Sequence, residues 1–453
     1  ITVCPSATTT YTAENTYTLC DGRTITEVDD TTVTVNGAKV WNGSVNTDWN
    51  NNNNWTPTGR PTAADCVVIP DTANDPVISG SGYNGLGLNM SIQNNAMLTV
   101  NSDNAVSITD WVNISTTGEL VLDNAASLVQ VNNIANSGAG NMRMNRDVNI
   151  KRLDYVYWSS PVTSFASSLI STGTPTNLIW KWTPTVPGKG IGNSGDWVNG
   201  NETMTLGKGY IVRGPSSYTS TPQNYTATFV GTPNNGNIST QIKRGSYTSG
   251  TTYQVCATCT PATALDDNWN LIGNPYPSAI RAIDFLTANP SIDGYIKIWT
   301  HGTLPSSAIV DPFYNGYVYN YTIGDYITYN NLGASSGPGT FNGYIGAGQG
   351  FFVSMLDSAA TPSNVNFTNA LRSAAYDNAQ FFRTEAEEKH RIWLDIINTT
   401  SNASTRTLVG YVDDATYDRD RLFDAITDTK MDLNIYSLVD LEGFTIQGRP
   451  TPF

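Results

Sequence analysis

The chain is short of charge. Only 14% of its 453 residues are Asp, Glu, Lys or Arg, so Asn, Thr, Ser and Gly carry most of its polarity. Basic residues number 24 against 38 acidic ones, a net charge of −14. Phosphate recognition needs clustered Lys and Arg, so nucleic acid and anionic membrane surfaces are not expected partners. No run of about 18 apolar residues occurs, so no membrane-inserted helix is expected. There are two histidines, His301 and His390, and nothing resembles a Gly-x-Ser-x-Gly elbow. His390 opens an alternating strand beside Lys389 and Arg391, and His301 lies in a Thr-His-Gly turn. Gly207-Lys208-Gly209 and Gly348-Gln349-Gly350 lead into strands rather than helices, which makes them tight turns and not phosphate loops. A histidine-based nucleophile system is not expected, and the chain reads as non-enzymatic.

Cysteine is also scarce, with five residues. Cys4 and Cys20 bracket a Thr-rich stretch, Cys256 and Cys259 form a Cys-x-x-Cys, and Cys66 is left over. In an oxidising compartment the simplest pairing is Cys4–Cys20 and Cys256–Cys259. Zinc would need a second ligand pair, and a redox role would need a helix beginning at Cys256; the flanking residues supply neither. The chain opens at Ile1 without a Met or a charged-then-apolar leader, which reads as a mature protein or a fragment.

What is abundant points to an all-β fold. Aromatics make up 10%, with 23 Tyr and 11 Trp. Thr and Tyr suit pleated surfaces, and Gly and Asn suit turns. Residues 1–36 read as a linker or the end of an upstream β domain. Residues 37–150 hold short alternating strands. Leu98-Thr99-Val100 followed by Asp103-Asn104-Ala105 is echoed by Leu120-Val121-Leu122 followed by Asp123-Asn124-Ala125. An offset of roughly 20 residues predicts a short parallel β-helix, with an antiparallel sandwich as the alternative. On that offset Asp103 and Asp123 fall at equivalent turns. Trp41, Trp49 and Trp55 ahead of the coils are either buried packing or platforms for sugar rings.

Residues 151–375 read as an internally duplicated, β-sandwich-like module. Tyr157–Val162, Ile179–Trp182 and Leu206–Val212 recur in order as Trp269–Pro277, Ile296–Trp299 and Ala347–Val353. Each copy has an aromatic strand ending at a proline, a Trp-bearing strand, a Gly-x-Gly turn and a β-branched strand. A short helix is expected after each proline element, with Ser164 and Ser278 as candidate N-caps. Residues 376–453 read as a C-terminal β-sandwich-like segment. Its acid-rich stretch offers Asp413, Asp414, Asp418, Asp420 and Asp424 as a candidate calcium site. Calcium takes six to eight oxygens, but this spacing is not an EF-hand, and Arg419 and Arg421 favour a salt-bridged loop. No other cofactor is expected.

The duplicated motifs, together with Arg391-Ile392-Trp393-Leu394, Thr407–Tyr411 and Ile446–Arg449, resemble large secreted proteins of the Bacteroidota exported by the type IX secretion system. The Trp41…Trp49…Trp55…Val68-Ile69-Pro70 pattern is also common in those proteins. The resemblance covers roughly residues 38–453. It implies a secreted or cell-surface location reached through the outer membrane, handling by the outer-membrane translocon and a shuttle protein, and a sorting domain beyond Phe453. The family includes gliding-motility adhesins, so the implied role is adhesion to a surface polysaccharide or solid surface. A β-helical carbohydrate-active enzyme, a lyase or glycosidase, is the alternative; it would need paired carboxylates on a coil face.

Overall fold

The computed structural model describes residues 9–33, 38–188, 190–252, 261–303, 305, 321, 323–334, 341–379, 390–399, 404–427 and 433–451. The protein is nearly all β, with a solenoid of about four turns. No helix among the described residues is long and apolar enough to cross a membrane. Thr9–Thr18 and Thr24–Val33 form an antiparallel hairpin ahead of the solenoid.

The solenoid has three parallel faces. One stacks Cys66–Ile69, Asn89–Ile92 and Val112–Ile114. The second stacks Val77–Ile78, Met97–Val100, Glu119–Leu122 and Asn141–Ile150. The third stacks Asn84–Gly87, Ala105–Ile108 and Ser127–Gln130. Leu98 lies beside Leu120 and Leu120 beside Met142, so this face repeats every 22 residues, and the first step on the other two is 23 and 21. Alternation then turns every second side chain inward. Val67, Met90 and Val112 form one buried ladder, and Ile69, Ile92 and Ile114 another. Each strand is too short to cover its own apolar face, and stacking supplies the cover.

Trp41, Trp49 and Trp55 are buried beside the first coil. Trp55 meets Trp41 and Trp49 edge-on, with centroids 5.1 and 4.7 Å apart. The indole N–H of Trp41 donates to the Asn74 carbonyl at 2.7 Å, and that of Trp55 to the Trp49 carbonyl at 2.9 Å. These rings belong to the core and are closed to sugars.

Asn141–Ile150 is parallel to Glu119–Leu122 on one edge and antiparallel to Gln223–Gly231 on the other. The solenoid sheet therefore runs directly into the duplicated module. The two copies share one strand order. The first runs Tyr155–Trp158, Tyr210–Arg213, Ile179–Thr183, Asp196–Asn199; the second runs Trp269–Gly273, Gly350–Met355, Ile292–Trp299, Tyr326–Asn330 and adds Gly333–Ala334. In each, an earlier strand pairs antiparallel with the strand that closes the copy: Asn141–Ile150 with Gln223–Gly231, and Ile238–Ile242 with Ser363–Phe367. Of the two expected helices, Ala282–Ala288 forms with Arg281, not Ser278, as its N-cap. The first copy has only a 3-10 turn, Ser167–Leu169, and Ser164 takes a left-handed φ of +54°.

The copies exchange backbone bonds. Ser159 N–H donates to the Gly348 carbonyl at 2.7 Å, and Gly273 N–H to the Gly207 carbonyl at 3.0 Å. Each proline-ended strand thus runs onto the other copy's Gly-x-Gly turn, where Gly207 and Gly348 hold φ of +71° and +68°, a region that disfavours a Cβ. An aromatic core fills the seam. Tyr155, Tyr157, Trp182 and Trp197 come from one copy and Trp299, Tyr326 and Phe352 from the other. Tyr157 stacks on Trp299 at 5.8 Å, and Trp182 meets Phe352 edge-on at 5.7 Å.

The C-terminal sheet orders Arg391–Ile397, Ser404–Tyr411, Glu442–Arg449 and Ala425–Ile426, with Ser437–Val439 also on Glu442–Arg449. Leu408, Ala425 and Ile446 pack it against Tyr295 and Leu332 of the second copy. Its edge strand leaves Ile392, Trp393, Leu394, Ile396 and Ile397 exposed.

Leu120 is fully buried in the middle of its ladder. Leu120→Ala is expected to lower the unfolding free energy by about 3 kcal/mol, seen as a lower urea midpoint. Asp123→Ala on the adjoining turn is expected to change it by about 0.5 kcal/mol or less.

Candidate functional site

The acid-rich stretch is a clamp. Asp424 is buried and accepts from the Gly448 amide at 2.8 Å and the Asp420 amide at 2.6 Å. Asp420 accepts from the Thr416 amide at 2.5 Å, and Asp413 accepts from the Thr451 hydroxyl. Asp414 and Asp418 stand exposed. Arg419 reaches Asp293 of the second copy at 2.7 Å, and Arg421 donates to the carbonyls of Ile292 and Leu286. Burial pushes the carboxyls of Asp424 and Asp293 up. Among the described residues no three His, Cys, Asp or Glu are grouped to hold a metal. The five aspartates are not brought together, because backbone amides and a hydroxyl take up three of them.

Two of the cysteines depart from the expected pairing. Cys20 has a free, exposed thiol between the hairpin strands, whereas Cys66, the one expected to be left over, is disulfide-bonded. Cys4, Cys256 and Cys259 lie outside the described residues. A disulfide needs Cα atoms within about 7 Å, a condition set by folding and not by spacing along the chain. The coil-face carboxylates also separate. With a 22-residue repeat, Asp103 corresponds to Ala125 and Asp123 to Asn101, so Asp103 and Asp123 do not stack. His390 is exposed, with a left-handed φ of +45°.

A cleft of about 230 Å³ opens where the solenoid strand Asn141–Ile150 meets the seam between the copies. Its polar lining comes from three places. Asp147 and Asn149 lie on Asn141–Ile150, two residues apart and hence on one face. His301 lies just beyond Ile292–Trp299, and Gln349 is the centre of its Gly-x-Gly turn. The stacked pair Tyr157 and Trp299 borders it, and Val148 and Val156 close its inner side from the core.

Gln349 is 2% exposed. Its Oε1 accepts from the Gly346 amide at 2.9 Å, and its backbone carbonyl accepts from Asn274 at 2.9 Å. The side-chain NH2 donates to nothing among the described residues. The amide of the exposed Asn149 is likewise unengaged. One oxygen of Asp147 accepts from the Thr226 hydroxyl at 2.6 Å. His301 Nδ1 lies 3.5 Å from Asp154, a carboxylate that also accepts from the Lys151 amide at 2.8 Å. Burial holds the His301 imidazole below its ordinary pKa; Asp154 opposes the shift and Lys151 adds to it. Burial also pushes the Asp325 carboxyl up, against hydrogen bonds from Thr303. The cleft thus presents amide donors, a carboxylate acceptor and an imidazole beside an aromatic border, an arrangement suited to holding a small polar ligand. Sequence reasoning missed it; the signal that could have found it is the substitution of Gln349 for Lys208 between the two matching turns.

Asp424→Ala is expected to cost about 1–3 kcal/mol, because the Gly448 and Asp420 amides lose their acceptor; a calcium chelator is expected to leave the wild-type melting temperature unchanged. The His301 contribution to stability is complete above pH ~6.5, where the unfolded imidazole titrates. It falls as pH drops through that value toward the lower folded pKa. His301→Asn suits the φ of +43° and is expected to flatten the decline in melting temperature between about pH 7 and about pH 5.

No curated protein and no solved structure matches the chain. One family model does match, over residues 40–453, and so spans the solenoid, the duplicated module and the C-terminal sheet together. The chain belongs to the family described as "Domain of unknown function (DUF8693)".

Proposed function

We propose that this is a non-enzymatic surface protein, exported by the type IX system through the outer membrane and acting as an adhesin. The observation that carries the reading is the seam cleft. Its unengaged amides and aromatic border are equipment for binding, while the half-buried His301 lies against the buried Asp154. Three further features support it. The motifs that resemble type IX cargo are architectural: Tyr157, Trp158, Ile272, Tyr276, Phe351 and Phe352 are all buried where the copies join or fill their cores. The composition, poor in charge and rich in Thr, Asn and Tyr, suits an exported β protein. A rigid solenoid continuous with a duplicated module suits a display scaffold. The alternative, a carbohydrate-active enzyme working on the coil face, has no stacked Asp103–Asp123 pair there to use.

The test is purification from the native cell envelope with identification of the copurifying chains. Recovery with a giant outer-membrane barrel and its shuttle protein, together with accessibility of the chain to protease added to whole cells, is the expected result. A chain found alone inside the cell would remove the export reading.

A further inference from the structure

The duplication supplies an internal control for the cleft. At the other seam the residue matching Gln349 is Lys208, and each bridges the partner copy's first strand: Lys208 to Ile272 and Gln349 to Trp158. Lys208 is long enough to cross its seam and donates from its ammonium to the Gln241 carbonyl. Phe229 lies opposite Met144 and Phe367 opposite Ile238. By that register Gln241 corresponds to Asp147, which lines the open cleft. One seam is thus crossed by a lysine side chain. The matching one ends in a shorter amide with its NH2 unengaged, and a cleft of about 230 Å³ remains.

We propose that the Gln349 cleft is a binding subsite for a single neutral sugar residue. This deepens the adhesin reading and rests on it for its biological sense. Size is the first reason: the volume lies below the ~300 Å³ lower end of drug-sized sites, so it takes one ring. Polarity is the second. Gln349 and Asn149 offer amide donors and Asp147 offers a carboxylate acceptor; a hydroxyl can answer both kinds of group, whereas a simple anion or a simple cation answers only one. An anion would face Asp147 and a net charge of −14, and a cation would leave the two amides without an acceptor. The aromatic border is the third reason. Tyr157 and Trp299 border the cleft with the edges of a stacked pair, an apolar margin beside the polar groups that suits the C–H face of a pyranose.

The experiment is saturation-transfer NMR and calorimetry on the full chain with glucose, galactose, mannose and N-acetylglucosamine as probes. The wild type is compared with Gln349→Lys and Asn149→Ala. Gln349→Lys copies the residue that the other turn already accommodates, so the fold is expected to persist, checked by an unchanged melting temperature. Binding of at least one probe that weakens about tenfold or more in Gln349→Lys, and by about threefold in Asn149→Ala, supports the subsite. Silence of all four probes on the wild type, or binding that survives in both variants, overturns it. If Gln349→Lys melts early, Asn149→Ala decides alone. Export and surface display of Gln349→Lys are read separately by protease accessibility on whole cells. A failed sugar test with normal display therefore rejects the subsite while leaving the surface reading standing.

Discussion

The fold depends on a reciprocal exchange of backbone hydrogen bonds. Ser159 donates to the turn that holds Gly348, and Gly273 donates to the turn that holds Gly207. These bonds register the two copies and bring the aromatic faces of their sheets together. The aromatic core follows from that geometry: Tyr157 stacks on Trp299, and Trp182 donates its indole N–H to the Trp269 carbonyl at 2.8 Å. Such ring pairs contribute about 0.5–1.5 kcal/mol each beyond their burial. The exchange also creates two matching seams, one crossed by Lys208 and one with a cleft at Gln349.

Charge is scarce, and the buried charges act as connectors. Arg372 is 7% exposed. It donates to the Leu128 carbonyl of the solenoid at 2.6 Å, to the Ser278 hydroxyl at 2.9 Å and to Asn369 at 3.1 Å, and it stacks on Tyr276. Burial pulls its pKa down to about 10, so it stays charged. An isolated buried guanidinium would be costly; this one is met by acceptors from three parts of the chain. Asn378 does similar work, donating to the Ala126 carbonyl at 2.7 Å and accepting from the Ala347 amide at 2.8 Å. Solenoid and module are therefore joined by a shared sheet and by polar side chains that reach across.

Much of this was legible. Leu98, Leu120 and their neighbours showed the coil because alternation and turn residues are local properties. The paired motifs showed the duplication for the same reason. The offset of roughly 20 was two residues short, and that small error matters: it set Asp103 beside Asp123, whereas the true repeat sets each beside an uncharged residue. The acidic stretch misled because composition says nothing of what carboxylates accept from, and Asp420 and Asp424 accept from backbone amides.

The sequence by itself determined the all-β class, the coil, the duplicated order of strands and the tight Gly-x-Gly turns. Side-chain alternation and left-handed glycine are decided by neighbours along the chain. Only the tertiary structure decided that each copy's turn receives the other copy's strand, that Cys66 is bridged and Cys20 is not, and that Asp147, Asn149, His301 and Gln349 share a cleft. Those outcomes depend on distances between residues up to about 200 positions apart, and such distances exist only once the copies have closed on each other and on the solenoid.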